Sequence, residues 1–199
     1  MGNVRLYGAT SGYTELAPPA VAPDGVLSLP SGTGTIAKTT DQGLVHINTT
    51  AFSAVSSVSV NGCFTSTYSN YLLVVEMTVS TSTNVAFRLR VGGTDDSSSN
   101  YQFQDLFATS TSISASTATD SKGYIQGGSG STQFWVHSNF YNPALAIPTT
   151  TVSNSLSLQP AIGFRSMRHS LSTAYDGVTI FPTSGTFTGT IRAYGYKNS

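Results

Sequence analysis

The chain has 199 residues, 9 Lys and Arg against 9 Asp and Glu, and a formal net charge of zero, with only 9% of residues charged. That balance excludes the clustered basic surface on which non-specific nucleic-acid binding depends. An aromatic content of 11% excludes the composition of a disordered chain, and no apolar run reaches the length of a membrane span, so no membrane insertion is expected.

Hydroxyls stand where charges usually do: 30 Ser and 28 Thr, close to a third of the sequence. Thr is β-branched and suits strands, Ser suits turns and edges, and 19 Gly add tight turns. The expectation is an all-β protein of many short strands. A neutral, hydroxyl-rich surface also puts little repulsion between copies, which suits a component of an assembly. The 1 Cys, Cys63, allows no internal disulfide and is expected to be a small buried apolar residue. No basic start followed by an apolar stretch marks a signal peptide, and Leu6 breaks the myristoylation pattern at MGNVRL. The expected setting is the cytoplasm of the producing cell, or a particle assembled there.

In chain order, the first third is poor in core material. Val4, Leu6, Tyr13, Leu16, Val21, Val26, Leu27, Leu29 and Ile36 are single and widely spaced, and Pro18, Pro19, Pro23 and Pro30 interrupt any central strand. Such a segment buries too little apolar area to offset its own ordering entropy. Residues 1–60 are therefore expected to be an extended attachment or trimerisation segment that borrows a core from other chains. Its anchors would be Leu6, Tyr13, Leu16, Val21, Leu27, Leu29 and Ile36.

Residues 61–199 carry the strand signals of an antiparallel, jelly-roll-like β-sandwich. YLLVVEMTV (71–79) and VAFRLRV (85–91) flank STSTN and predict a hairpin, with Glu76 pairing across it to Arg88 or Arg90. Apart from Glu76 the first of these strands is apolar on both faces, so it is expected to be central. Further strands are predicted at 101–108, 133–141, 156–164, 175–181 and 186–196. Between them, 92–100, the Ser/Thr-rich 109–123 and 127–131 read as loops. In TFTGTIRAYGY, Phe187, Ile191 and Ala193 share one face and are the core candidates, leaving Arg192, Tyr194 and Tyr196 outward.

At these residues a resemblance enters. The Thr10–Gly12 turn, the Pro18–Val21 run and Leu27–Pro30, taken together, resemble a pattern near the start of bacteriophage fibre and appendage proteins. FRLRVGGTDDSSSNY (87–101) and YDGVTIFPTSGTFTGTIRAYGYKN (175–198) resemble the distal β-sandwich of phage tail and structural proteins. The resemblance covers roughly 4–37 and 61–198. It implies a homotrimer in the virion, attached to other virion proteins by its amino end and exposing its carboxyl domain. No extended shaft is present, as a long fibre would need.

The residues suggest no catalytic centre. His46, His137 and His169 are not at metal-ligand spacing. His137, within FWVHSNFY, reads as a structural histidine and His169, within RSMRHS, as part of a polar turn. No Gly-x-Ser-x-Gly elbow appears, and SGTGTIAK lacks the Gly-Lys-Ser/Thr of a phosphate loop. Asp95–Asp96, the adjacent acidic pair, sits in a Ser/Asn loop and reads as a turn. Calcium coordination with Asn100 is the minor alternative, and paired carboxylates for glycan cleavage are the more distant one. No cofactor is expected. A receptor-binding reading draws on exposed aromatics and loop hydroxyls meeting a host surface glycan, with Tyr101, Arg192, Tyr194 and Tyr196 as candidate subunit or receptor contacts. Trp135, between Phe134 and Val136, is expected in the core. The favoured role is a short tail fibre or appendage with a host-contacting head; the rival is a capsid decoration or head-fibre protein.

Overall fold

The computed structural model describes residues 4–7, 12–16, 43–126, 132–158 and 161–197, with backbone alone at 4–7 and 13–16. The chain divides into two units, Met1–Ile36 and Ala37–Ser199. In the first, β1 (Val4–Tyr7) and β2 (Tyr13–Leu16) pair antiparallel, with Leu6 opposite Thr14 and Val4 opposite Leu16. Gly12, at φ +78, supplies a left-handed residue just before β2, inside the expected turn. Leu6, Tyr13 and Leu16 thus belong to a hairpin. Val21, Leu27, Leu29 and Ile36 lie outside the described residues, as does the whole 127–131 loop.

The second unit is an antiparallel β-sandwich. Its large sheet runs in the order β3 (Leu44–Val55), β15 (Phe187–Tyr196), β5 (Asn70–Val79), β11 (Gln133–Tyr141), β12 (Thr149–Ser157), β13 (Ala161–His169), β8 (Tyr101–Thr109) and β9 (Ser112–Asp120). The small sheet runs β10 (Gly123–Gln126), β6 (Val85–Val91), β14 (Gly177–Pro182) and β4 (Val58–Val60), with β7 (Thr94–Asp95) beside β6.

The period-2 pattern explains the packing. On β5, Tyr71, Leu73, Val75, Met77 and Val79 are buried, and on β11 so are Phe134, Val136 and Phe140. From the small sheet Val85, Phe87, Leu89, Val178 and Ile180 meet them. Phe87 and Phe140 lie 5.2 Å apart edge to face, and Phe64 sits 5.4 Å from Phe140 and 4.9 Å from Tyr71. Each such ring buried contributes about 1.5–3 kcal/mol, so the aromatic centre pins the two sheets together. As expected, β5 is central, between β15 and β11, and Phe187, Ile191 and Ala193 are buried.

Several sequence expectations are corrected. The domain boundary expected after residue 60 falls at 36/37, because β3 and β4 are strands of the sandwich, pairing with β15 and β14. β5 and β6 form no hairpin: they lie in different sheets, and residues 80–84 cross between them. Glu76 accordingly meets Arg192 on the adjacent β15, not Arg88 or Arg90. The Ser/Thr loop 109–123 contains β9, a full strand paired along its length with β8. The single strand expected at 156–164 is instead the end of β12 and the start of β13, two strands of the large sheet.

Candidate functional site

The outward positions of β15, β5 and β11 build one continuous surface. The registers set Thr190, Glu76 and Trp135 side by side, with Thr188, Thr78 and Gln133 in the next row. These side chains line an open groove of about 260 Å³. Trp135, expected in the core, is 38% exposed on this face; in its own strand Phe134 and Val136 take the buried positions, and alternation turns Trp135 outward. Gly189 holds the groove floor close. A Cβ there would stand 2.1 Å from the Glu76 carbonyl oxygen, so β15 approaches β5 only with glycine, at an irregularity in its pairing with β3.

Arg192 Nη1 donates to Glu76 Oε1 at 3.1 Å, which orients the carboxylate. Further along the face, Tyr196 donates its hydroxyl to Asn139 Oδ1 at 2.6 Å. Partial burial, with the neighbouring Tyr141, pushes the Tyr196 hydroxyl up, so it remains a donor. Tyr194 meets the His46 ring edge to face at 5.5 Å. Arg192, Tyr194 and Tyr196 therefore do share this half-exposed face. Chemically the groove combines an aromatic plane, a carboxylate, an amide and three hydroxyls, a set suited to non-covalent recognition of a polyhydroxylated ligand. Its lining holds one carboxylate, Glu76, where glycoside hydrolysis uses a pair.

Tyr101 is corrected as a contact residue: it is fully buried. Its hydroxyl accepts from Leu89 N at 3.0 Å and donates to Asp96 O at 2.8 Å. Asp96 is the hub beside it. Tyr175 donates to Asp96 Oδ2 at 2.6 Å, Ser98 N donates to Oδ1 at 2.9 Å, and His169 Nε2 lies 3.3 Å from Oδ2. Burial raises the Asp96 carboxyl pKa, but the Ser98 and Tyr175 hydrogen bonds and the His169 charge outweigh it and hold the group below its usual range. His169 is no turn residue: it ends β13 fully buried. Burial lowers its pKa against the opposing pull of Asp96. Asp95 is held separately by Arg90 and Thr179, so the two adjacent carboxylates serve different networks. Among the described residues no group of three His, Cys, Asp or Glu gathers to hold a metal ion.

A second surface on the same face escaped the sequence reading. Leu106, Ile113, Leu156, Ile162 and Phe164 line an apolar concavity of about 490 Å³ across β12, β13, β8 and β9. The signal for it was present as an inverted alternation. In β12 and β13 the inward positions carry Thr151, Ser153, Ser155 and Arg165, while the outward ones carry Leu156, Ile162 and Phe164.

No protein-family model matches the chain, and neither a curated protein nor a solved structure matches it.

Proposed function

We propose that this chain is a structural protein of a bacteriophage virion: a short tail fibre or appendage, homotrimeric, held by its amino-terminal segment. Its sandwich head contacts the host by holding a surface sugar in the Trp135 groove. The observation that carries the host-contact role is the outward indole of Trp135 set in register with Glu76 and Thr190 and beside Gln133. The virion assignment draws its support from the sequence resemblance at 4–37 and 61–198. The rival role, capsid decoration, draws on the apolar concavity, since a shell ornament needs contact surface more than a ligand groove. Copies per particle separate the two: few for a tail appendage, tens or hundreds for a decoration.

The chain has 1 Trp, so intrinsic tryptophan fluorescence reports on this groove and on Leu156 beside it. Titrating the full-length protein with surface polysaccharide fragments from the host should shift or quench that emission saturably. Thr190→Lys, which leaves the indole in place and obstructs the groove, should abolish the change. Emission that stays flat at millimolar fragment, with the protein folded, contradicts sugar binding.

A further inference from the structure

The large sheet is built inside out at one end. On β12, β13 and β8 the core-facing side carries polar groups, and some of them pair within the fold. Arg165 and Asp105, with side chains only 14% and 11% exposed, form a bidentate pair. Ser138 and Ser153 hydroxyls meet at 2.7 Å. On the opposite side, toward solvent, stand Leu106 (50% exposed), Ile113 (78%), Leu156 (56%), Leu158 (68%), Ile162 (59%) and Phe164 (48%). A sheet with one solvated face has the reverse pattern, and a one-residue register slip would bury these side chains. The pairing is fixed all the same, strand by strand, by uninterrupted ladders from β11 to β9. The sequence treats this outer surface as an interior.

Its size says what kind of cover it needs. At roughly 200 Å² for a large, fully exposed side chain, the five that line the concavity leave on the order of 600 Å² in one patch. The largest apolar patch on a typical monomer is about 300–600 Å², while one partner's share of a standard stable protein interface is about 800 Å². The rows Leu156–Ile162–Ala108–Ile113 and Asn154–Phe164–Leu106–Ala115 contain no charged residue, so nothing on the patch selects a partner of opposite charge or repels a copy of itself. The patch runs without a break onto β9, the sheet's edge. That strand is nine residues long and uncharged until Asp120. It lacks the proline, lysine or bulge with which an edge is normally guarded.

We propose that a second copy of this chain covers the apolar face of β12, β13, β8 and β9, making it the subunit interface of the head. The inference deepens the self-association in the reading above. The patch borders the Trp135 groove, with Leu156 opposite Trp135, so self-association is read from mass and sugar binding from titration, and an oligomer that ignores sugar or a monomer that binds it separates the two. The test is mass in solution, by light scattering and sedimentation equilibrium on the full-length protein. Wild type is expected at a multiple of 20.8 kDa. Phe164→Glu is expected at 20.8 kDa, with unchanged circular dichroism and unchanged response of Trp135 to sugar. Thr150→Lys, outward on β12 but away from the patch, is expected to keep the wild-type mass. Should Phe164→Glu fail to fold, Ile162→Ser and Leu156→Ser, milder changes on the same surface, carry the same expectation of dissociation. A monomeric wild type overturns the proposal, whether or not lipid vesicles or another protein bind the patch. So does an oligomer that survives the folded patch variants.

Discussion

Tyr101→Phe separates a structural role from a contact role at one hydroxyl. β10 pairs with β6 only as far as Phe87, so beyond it the β6 edge needs other partners. Leu89 finds them on both its backbone groups: its N–H donates to the Tyr101 hydroxyl at 3.0 Å, and its carbonyl accepts from Asp96 N at 2.8 Å. The substitution keeps the ring, with its edge-to-face packing on Phe87 at 6.1 Å and His169 at 4.4 Å, and removes the hydroxyl alone. A buried N–H loses its acceptor and the Asp96 carbonyl loses a donor. An unpaired buried group costs about 1–3 kcal/mol, the carbonyl at the lower end, so about 2–4 kcal/mol is expected in total. For a domain of this size each kcal/mol lowers Tm by about 2–4 °C, giving a fall of about 4–16 °C by calorimetry. Sugar titrations below the new Tm should match wild type. A loss under about 0.5 kcal/mol would refute the bridging role; lost binding at unchanged stability would return Tyr101 to the contact surface.

Gly189→Ala places a Cβ against the Glu76 backbone and should cost about 1–3 kcal/mol by urea unfolding, with weakened sugar binding because Glu76 moves; wild-type stability would show that β15 does not need the close approach. Acid should destabilise the fold in two steps. Folded His169 has a pKa below 6.5, so the unfolded chain takes up its proton first and stability falls as pH drops below 6.5. Asp96, held below 3.8, adds a second loss as pH falls further through its folded-state pKa. The urea midpoint should therefore be lower at pH 5 than at pH 7.5, and His169→Gln should remove its share of that difference; an unchanged slope in the variant contradicts the assignment. Burial pushes the Cys63 thiol up to about 12, so a disulfide reagent should react at the rate of unfolding; immediate reaction of the native protein would contradict its placement.

Much of the sandwich was legible because β6, β11 and β15 set apolar residues inward and mostly polar ones outward, β5 is apolar on both faces as a central strand is, and their turns carry Gly, Ser and Asn. β12 and β9 were not. TTTVSNSLS has no apolar inward residue, and SISASTATD is exposed along nearly all of its length, so neither shows the alternation that marks a half-buried strand. They are held instead by ladders to the strands next to them in sequence, β8 for β9 and β11 and β13 for β12, and their Ser/Thr-rich faces give those hairpins no apolar alternation to read. The β5–β6 connection misled for a related reason: five turn residues serve equally for a hairpin or for a crossing between sheets, and only the partners of each strand decide. At the site, the outward Tyr194 and Tyr196 followed from period-2 counting on β15. Trp135 was lost because apolar neighbours on both sides suggested a core, although strand alternation puts a residue and its neighbours on opposite faces. Tyr101 could not be placed from sequence, since the groups its hydroxyl joins, Leu89 and Asp96, meet it only in the folded sandwich.

Phage adsorption to host cells pre-incubated with the full-length protein tests the host-contact role most directly. Wild type should block adsorption in proportion to dose and bind the cells, while Trp135→Ala, folded and of wild-type mass, should do neither. Wild type that leaves adsorption unchanged and the cells bare would contradict a host-contacting head, and Trp135→Ala that blocks as well as wild type would place the contact elsewhere on the molecule.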